Sequence, residues 1–315
     1  YMKKIIKRLL LFTSAATIAT SSIAYKLSHD TQTGFIKDLT DFFSDDNDFS
    51  IVAHRGFSSL AIENTKDALE LANNTSYIDM IEFDIRLTND NKLVLSHNNT
   101  INTLKGKTIK ISDSLSSKLL REELIYKKPW TKSYINTLSE IDGLVIRKRF
   151  ENLNNKTYKL ITLSDAINMC ENKKVLLDLK FNNDTRKFIT ALEEELKDKD
   201  IDNMTFQSSN LLALLCLEKE KKDYNYQAII NSKDKLNYIS LFDNIALKEQ
   251  LVTYKVIDEL EKDNKNVSIW TINSVKELDS VLNKVDDYYK DITYITDYPD
   301  IINYELQKKT LTKTN

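Results

Sequence analysis

Residues 80–87 read MIEFDIRL. Glu82, Asp84 and Arg86 alternate with Ile81, Phe83 and Ile85. A period of two puts the three charges on one face of a strand and the three apolar groups on the other. Residues 174–180, KVLLDLK, repeat the pattern: Asp178 and Lys180 share one face, Leu177 and Leu179 the other. The apolar faces are expected to pack beneath helices, and the charged faces to point into the mouth of a barrel.

Outward from these two stretches, six more short apolar runs read as strands: SIVAH (50–54), MTFQS (204–208), YQAII (226–230), YISLF (238–242), NVSIW (266–270) and ITYIT (292–296). Between most of them lie helical patterns, at 63–73, 163–171, 184–198, 211–221, 248–263, 275–285 and 299–308. Pro299 suits a first helical turn. Eight strands alternating with helices predict an α/β fold, a (β/α)8 TIM barrel, over residues 49–308. Only SKDKLN separates the fifth strand from the sixth, too little for a full crossover helix. Residues 99–161 form an insertion after the second strand, on the face where barrel active sites assemble. Part of it, IKISDSLSSKLLREEL, is compatible with helix. It is read either as a cap that shapes the substrate site or as a packing insertion.

Lys3, Lys4, Lys7 and Arg8 precede an uncharged run from Leu9 to Tyr25, with Ser22 and Ala24 at the positions preferred before a cleavage site. Residues 1–25 are therefore expected to be a signal peptide or an N-terminal membrane anchor. Both readings place the rest of the chain outside the cell, secreted or tethered to the outer face of the membrane. Residues 26–48 read as a polar linker, with room for a short helix near Phe35 to Phe43, and 309–315 as a tail. Forty-five basic residues against 47 acidic ones give a net charge of −2, without the concentrated basic face that nucleic acid requires. Cys170 and Cys216, the only cysteines, are expected to be buried free thiols.

Function in a barrel collects at the C-terminal ends of the strands. Those ends carry His54 and Arg55, then Glu82 and Asp84, Asp178 and Lys180, Trp270, and Thr296 with Asp297. Carboxylates placed side by side in a barrel mouth stay ionised only beside a compensating cation. A hard divalent ion, Ca²⁺ or Mg²⁺, suits an all-oxygen set formed by Glu82, Asp84 and Asp178. With Arg55 and Lys180 nearby, the site has the makings of a metal and phosphate centre. His54 and His97 are two of only three histidines. Placed on opposite sides of a phosphorus, they suit general acid–base catalysis near neutral pH.

The stretches HRGFSSLAIENTKDALELA (54–72) and IEFDIRLTNDNKLVLSHN (81–98), followed by SIWTIN (268–273) and YITDYPDII (294–302), resemble the glycerophosphodiester phosphodiesterase family. The resemblance runs from about Ser50 to Ile302 and is weak around residues 122–158. It implies that His54 and His97 are the catalytic pair and that Glu82, Asp84 and Asp178 bind the metal. It also implies that Arg55 and Lys180 hold the phosphate, that Glu63 and Asn64 shape the site, and that Trp270 lines the pocket for the alcohol. The implied substrate is a small-molecule glycerophosphodiester, derived from lipid or from an envelope polymer, with membrane association through the N-terminus. Two positions depart from the family pattern. Asp178 stands where most members carry Glu, and Asn98 follows His97 where Asp is usual. Asp178 also resembles lysophospholipase D and sphingomyelinase D-like relatives, so that phosphodiesterase or lyase chemistry stays open. A non-catalytic binding domain is a further alternative, argued by Asn98 alone.

Overall fold

A computed structural model describes residues 49–127, 147–149, 151–182, 184–285 and 292–313. The expected leader, linker and short helix near Phe35 lie outside the described residues. Within them the chain order is β1 (Ser50–Ala53), α1 (Lys66–Asn73), β2 (Met80–Leu87), β3 (Leu93–Leu95), β4 (Thr100–Asn102), β5 (Thr108–Lys110), α2 (Ser116–Leu119), β6 (Leu124–Ile125), β7 (Thr157–Tyr158), α3 (Leu163–Met169), β8 (Lys174–Leu179), α4 (Thr185–Leu196), β9 (Met204–Ser208), α5 (Leu211–Glu220), β10 (Asn225–Ile230), β11 (Asn244–Lys248), α6 (Tyr254–Lys262), β12 (Asn266–Trp270), α7 (Val275–Val285), β13 (Ile292–Thr296) and α8 (Pro299–Lys313).

Eight of these strands run parallel in the order β1-β2-β8-β9-β10-β11-β12-β13, and β13 pairs back to β1. The closed (β/α)8 barrel is as the alternation predicts. β2 pairs in register with β8, so Asp84 lies opposite Asp178. β3 adds to β2 antiparallel through a turn at Asn91, whose φ is 57°. Ile81, Phe83 and Ile85 are fully buried in the main core, under the helices. Val52, Leu176 and Ile295 form a separate small cluster, with Met80 and Trp270 packed against it.

One strand is corrected. Residues 238–242 are not the sixth strand. Lys233–Leu241 form a 3-10 segment, and the strand is β11, Asn244–Lys248. Tyr238 and Leu241 are about half exposed, while Ile245, Ala246 and Leu247 are fully buried. The 3-10 segment replaces the helix that the short SKDKLN connection could not supply. Moving the strand also shortens the next helix, which begins at Tyr254 rather than 248. Cys170 is buried as expected, but Cys216 is exposed on α5, contrary to expectation, because its helix turns that position away from the sheet.

The insertion, over its described residues, is mostly not helical. It carries two small antiparallel ribbons, β4–β5 and β6–β7. α2 covers four residues and a 3-10 turn spans Ile111–Asp113. Val94, Ile101, Ile109, Ile111, Leu119, Leu124 and Leu160 give it a core of its own. The expected helix over IKISDSLSSKLLREEL thus shrinks to two short turns, since its apolar residues feed a ribbon core rather than one helical face.

Candidate metal and phosphodiester site

The site begins at a sharp turn after β1. Arg55 has φ 59° and Gly56 φ 77°, values that cost little only for glycine. A Cβ on Gly56 would come within 2.7 Å of the Ala68 backbone, so the turn is pressed against α1. The Gly56 amide donates to the Glu82 carbonyl (3.0 Å) and the Phe57 amide to the Ala68 carbonyl (2.9 Å). The Arg55 amide donates to Glu82 Oε2 (2.8 Å). These bonds fix His54 and Arg55 over the carboxylates of β2. Thr65 caps α1 by accepting from the Ala68 amide, and places Asn64, with φ 58°, against Asp84. Asn64 Nδ2 donates to Asp84 Oδ2 (2.8 Å), and its Oδ1 accepts from the Asp84 amide (2.9 Å).

Glu82, Asp84 and Asp178 are 1%, 1% and 6% exposed. Each offers a carboxylate oxygen within 4.8 Å of the others. Arg55 Nε lies 3.1 Å from Asp84 Oδ2, and Lys180 Nζ lies 2.9 Å from Asp84 Oδ1 and also pairs with Asp178. Burial opposes ionisation of Asp84, but Arg55 and Lys180 outweigh it and hold its carboxyl far below the usual range. Glu82 goes the other way: burial, then Asp84 and Asp178, push it well up. Burial raises Asp178 as well, against the pull of Lys180. Among the described residues the three carboxylates form direct ion pairs with Arg55 and Lys180, and Arg86 acts on Asp84 and Asp178 from the His97 carbonyl. Arg55 is shared with Glu63, through Nη1 to Oε1 at 2.8 Å, so that four carboxylates share three cations. Asp178 Oδ1 is buried with no hydrogen-bond partner among the described residues. An orphaned carboxylate oxygen in an under-neutralised acidic triad fits a divalent cation. Asp178 meets the triad despite being one methylene shorter than Glu.

The histidines flank this cluster. His54 Nδ1 lies 2.6 Å from Asp297 Oδ1, and its Nε2 lies 3.9 Å from Glu82 Oε2. Asp297 is in turn fixed by Ser58 Oγ (3.1 Å) and Asn273 Nδ2 (2.9 Å). His97 Nδ1 contacts Asn98 Oδ1 at 3.1 Å, and Arg86 donates through Nε and Nη2 to the His97 carbonyl. Asn98 thus occupies the orienting place expected of Asp, without its charge. Burial, then the positive charge of Arg55, hold His97 at about 4. Trp270 packs its ring on the Val52 cluster and lines the cavity, and its Nε1 donates to the Ala246 carbonyl (3.0 Å). Glu63 does not point at the carboxylates. It braces Arg55 on one side and accepts from Tyr126 of the insertion on the other (3.2 Å).

The structure thus gathers His54, Arg55, Glu82, Asp178, Lys180, His97 and Trp270 around one cavity of about 190 Å³. Sequence reasoning gave no role to Asp297, Asn273 or Gln207. Gln207 lines the same cavity, 4% exposed, with Oε1 unpartnered among the described residues. The closure of the barrel was the available signal for Asp297. Ala53 pairs with Thr296, so the next residues, His54 and Asp297, must be neighbours.

A model of the glycerophosphoryl diester phosphodiesterase family matches residues 54–301. The chain belongs to this family. Membership places it among the enzymes that cleave phosphoric diesters. It is 26% identical over 249 residues to an uncharacterized protein of Mycoplasma genitalium, covering 74% of this chain and 90% of that one. The fold is similar to that of an Oleispira antarctica phosphodiesterase solved with the product sn-glycerol-3-phosphate, with a TM-score of 0.61 and 18% identity over 84% of this chain and 97% of that one. It is also similar to a glycerophosphodiester phosphodiesterase from Thermotoga maritima, with a TM-score of 0.53 and 20% identity over 85% and 98% of the two chains.

Proposed function

We propose that this phosphodiesterase hydrolyses glycerophosphodiesters to glycerol phosphate and an alcohol with the help of Ca²⁺ or Mg²⁺, acting outside the cell. The observation that carries the reading is the buried triad of Glu82, Asp84 and Asp178 between two histidines and two cations. Glu82, Asp84 and Asp178 would hold the ion, which supplies charge neutralisation and polarisation of a phosphoryl oxygen. Arg55 and Lys180 bind and orient the phosphate. His54 accepts the proton of the attacking hydroxyl, from water or from the glycerol itself, while Asp297 keeps its Nδ1 occupied and Nε2 turned to the site. His97 donates a proton to the leaving oxygen. Without the ion, burial and then Arg55 lower His97 to about 4. The negative charge of a bound phosphodiester opposes Arg55 and Lys180 and lets His97 take up the proton it later delivers.

The test follows release of glycerol phosphate, or a cyclic phosphate, by phosphorus NMR. His54→Ala and His97→Ala are each expected to lower turnover by roughly 10²–10⁴-fold with an unchanged circular dichroism melt. Full activity in either variant would sink the acid–base roles. Lysophosphatidylcholine cleaved in preference to glycerophosphodiesters would favour the lysophospholipase D-like alternative, which Asp178 supports.

The extracellular setting rests on the basic and apolar pattern of residues 1–25. No helix among the described residues is long and apolar enough to cross a membrane. Protease treatment of intact cells is expected to degrade the protein. Protection until the cells are lysed would contradict the proposal.

A further inference from the structure

Two cavities meet at the phosphate clamp. The smaller holds His54 and the carboxylates. The larger, about 370 Å³, opens on the other side of Arg55 and His97, under the ribbons of the insertion. Arg55 and His97 border both, whereas His54 borders only the smaller. A phosphodiester carries two ester arms on a tetrahedral phosphorus. With phosphorus held at Arg55, one arm enters each cavity. The arm beside His97 is the one whose oxygen that histidine protonates, and it runs into the larger cavity.

The lining restricts what that arm can be. Glu63 is its carboxylate, and both oxygens are taken: Oε1 by Arg55 and Oε2 by the Tyr126 hydroxyl. A cationic alcohol such as choline or ethanolamine would find there, among the described residues, no carboxylate oxygen left unbonded, and would face Lys127 at the exposed rim. An aromatic cage for a quaternary amine also relies on open ring faces. Here Tyr126 and Tyr158 meet edge to face, with centroids 6.4 Å apart and planes at 86°, so one ring's edge occupies the other's face. The remaining walls mix neutral hydrogen-bonding groups, Asn98 and Asn102 among them, with the flat apolar sides of Leu95 and Ile101. A neutral alcohol with many hydroxyls matches that mixture, and at about 370 Å³ the cavity lies at the low end of the range of small-molecule sites, roughly 300–1,000 Å³.

We propose that the larger cavity is the subsite for the leaving alcohol and that it selects an uncharged polyhydroxylated alcohol, a polyol or a sugar unit, over an ammonium headgroup. The proposal deepens, and rests on, the phosphodiesterase reading above. It also gives the insertion the substrate-shaping role, since Tyr126 links the cap through Glu63 to the phosphate-binding Arg55.

The experiment compares kcat/KM of the metal-supplied full chain on three diesters: glycerophosphoinositol, glycerophosphocholine, and the methyl ester of glycerol phosphate, whose methanol is too small to fill the cavity. The polyol diester is expected to exceed the choline diester by tenfold or more. Thr100→Trp, at an exposed wall position of β4, obstructs the cavity without removing a buried contact. It is expected to lower the ratio of polyol to methyl diester at least tenfold. Equal or better use of glycerophosphocholine overturns the selectivity, and an unchanged ratio in Thr100→Trp overturns the subsite. Turnover of none of the three, the methyl diester included, overturns the phosphodiesterase reading itself and this proposal with it.

Discussion

At the scale of single residues, the two histidines are held in different ways. Asp297 sits 2.6 Å from His54 Nδ1, so His54 can collect a proton on Nε2 and keep its orientation as the charge forms. Among the described residues His97 has the neutral Asn98 beside Nδ1, and burial followed by Arg55 lowers it to about 4. The sign of the pH dependence follows. kcat/KM reports groups of the free enzyme, and kcat reports those of the complex. A proton needed on His97 is bound weakly in the free protein and more tightly once phosphate charge offsets Arg55 and Lys180. The alkaline limb of kcat/KM is therefore expected at lower pH than that of kcat. Coincident limbs, or the reverse order, would remove His97 as the proton donor. The gathering of His54, Arg55, Glu82, Asp84 and His97 at one end of the barrel was legible in the sequence because period-two alternation puts Glu82 and Asp84 on one face and the HRG and SHN motifs flank them. The pairing of Asp297 with His54 was not, because the two lie 243 residues apart. Only the neighbouring of first and last strands brings the two together.

At the scale of elements, seven of the eight barrel strands were readable from their short apolar, β-branched runs. β2 and β8 carry apolar outer faces and charged inner ones, and both lie where the pattern put them. The sixth strand was misplaced because YISLF has stronger β-formers than NIALK, yet Tyr238 and Leu241 are exposed and Ile245 to Leu247 are buried. Burial against neighbouring strands outweighs local propensity. The insertion was unreadable for a related reason: two- and three-residue ribbons are too short to show a period. The turn after β1 is the element on which the site most depends. Gly56 holds φ 77° with its Cα pressed against Ala68. Gly56→Ala is expected to cost ~2–5 kcal/mol from left-handed backbone strain plus overpacking, read as a lower midpoint in urea unfolding. A change below about 0.5 kcal/mol would mean that the turn relaxes freely and does not fix His54 and Arg55.

At the scale of the whole molecule, the barrel brings residues from positions 54 to 297 to one end and charges that end unevenly. Glu63, Glu82, Asp84 and Asp178 outnumber Arg55, Arg86 and Lys180, and an incoming phosphodiester adds a further negative charge. Such a centre is expected to need a divalent cation in place. The most direct measurement is phosphorus NMR of a glycerophosphodiester incubated with the protein before and after EDTA, and again after Ca²⁺ or Mg²⁺ is restored. The expected result is a glycerol phosphate or cyclic phosphate resonance that stops growing on chelation and resumes on metal addition. Turnover that continues undiminished in EDTA, or no product with either metal, would contradict the account.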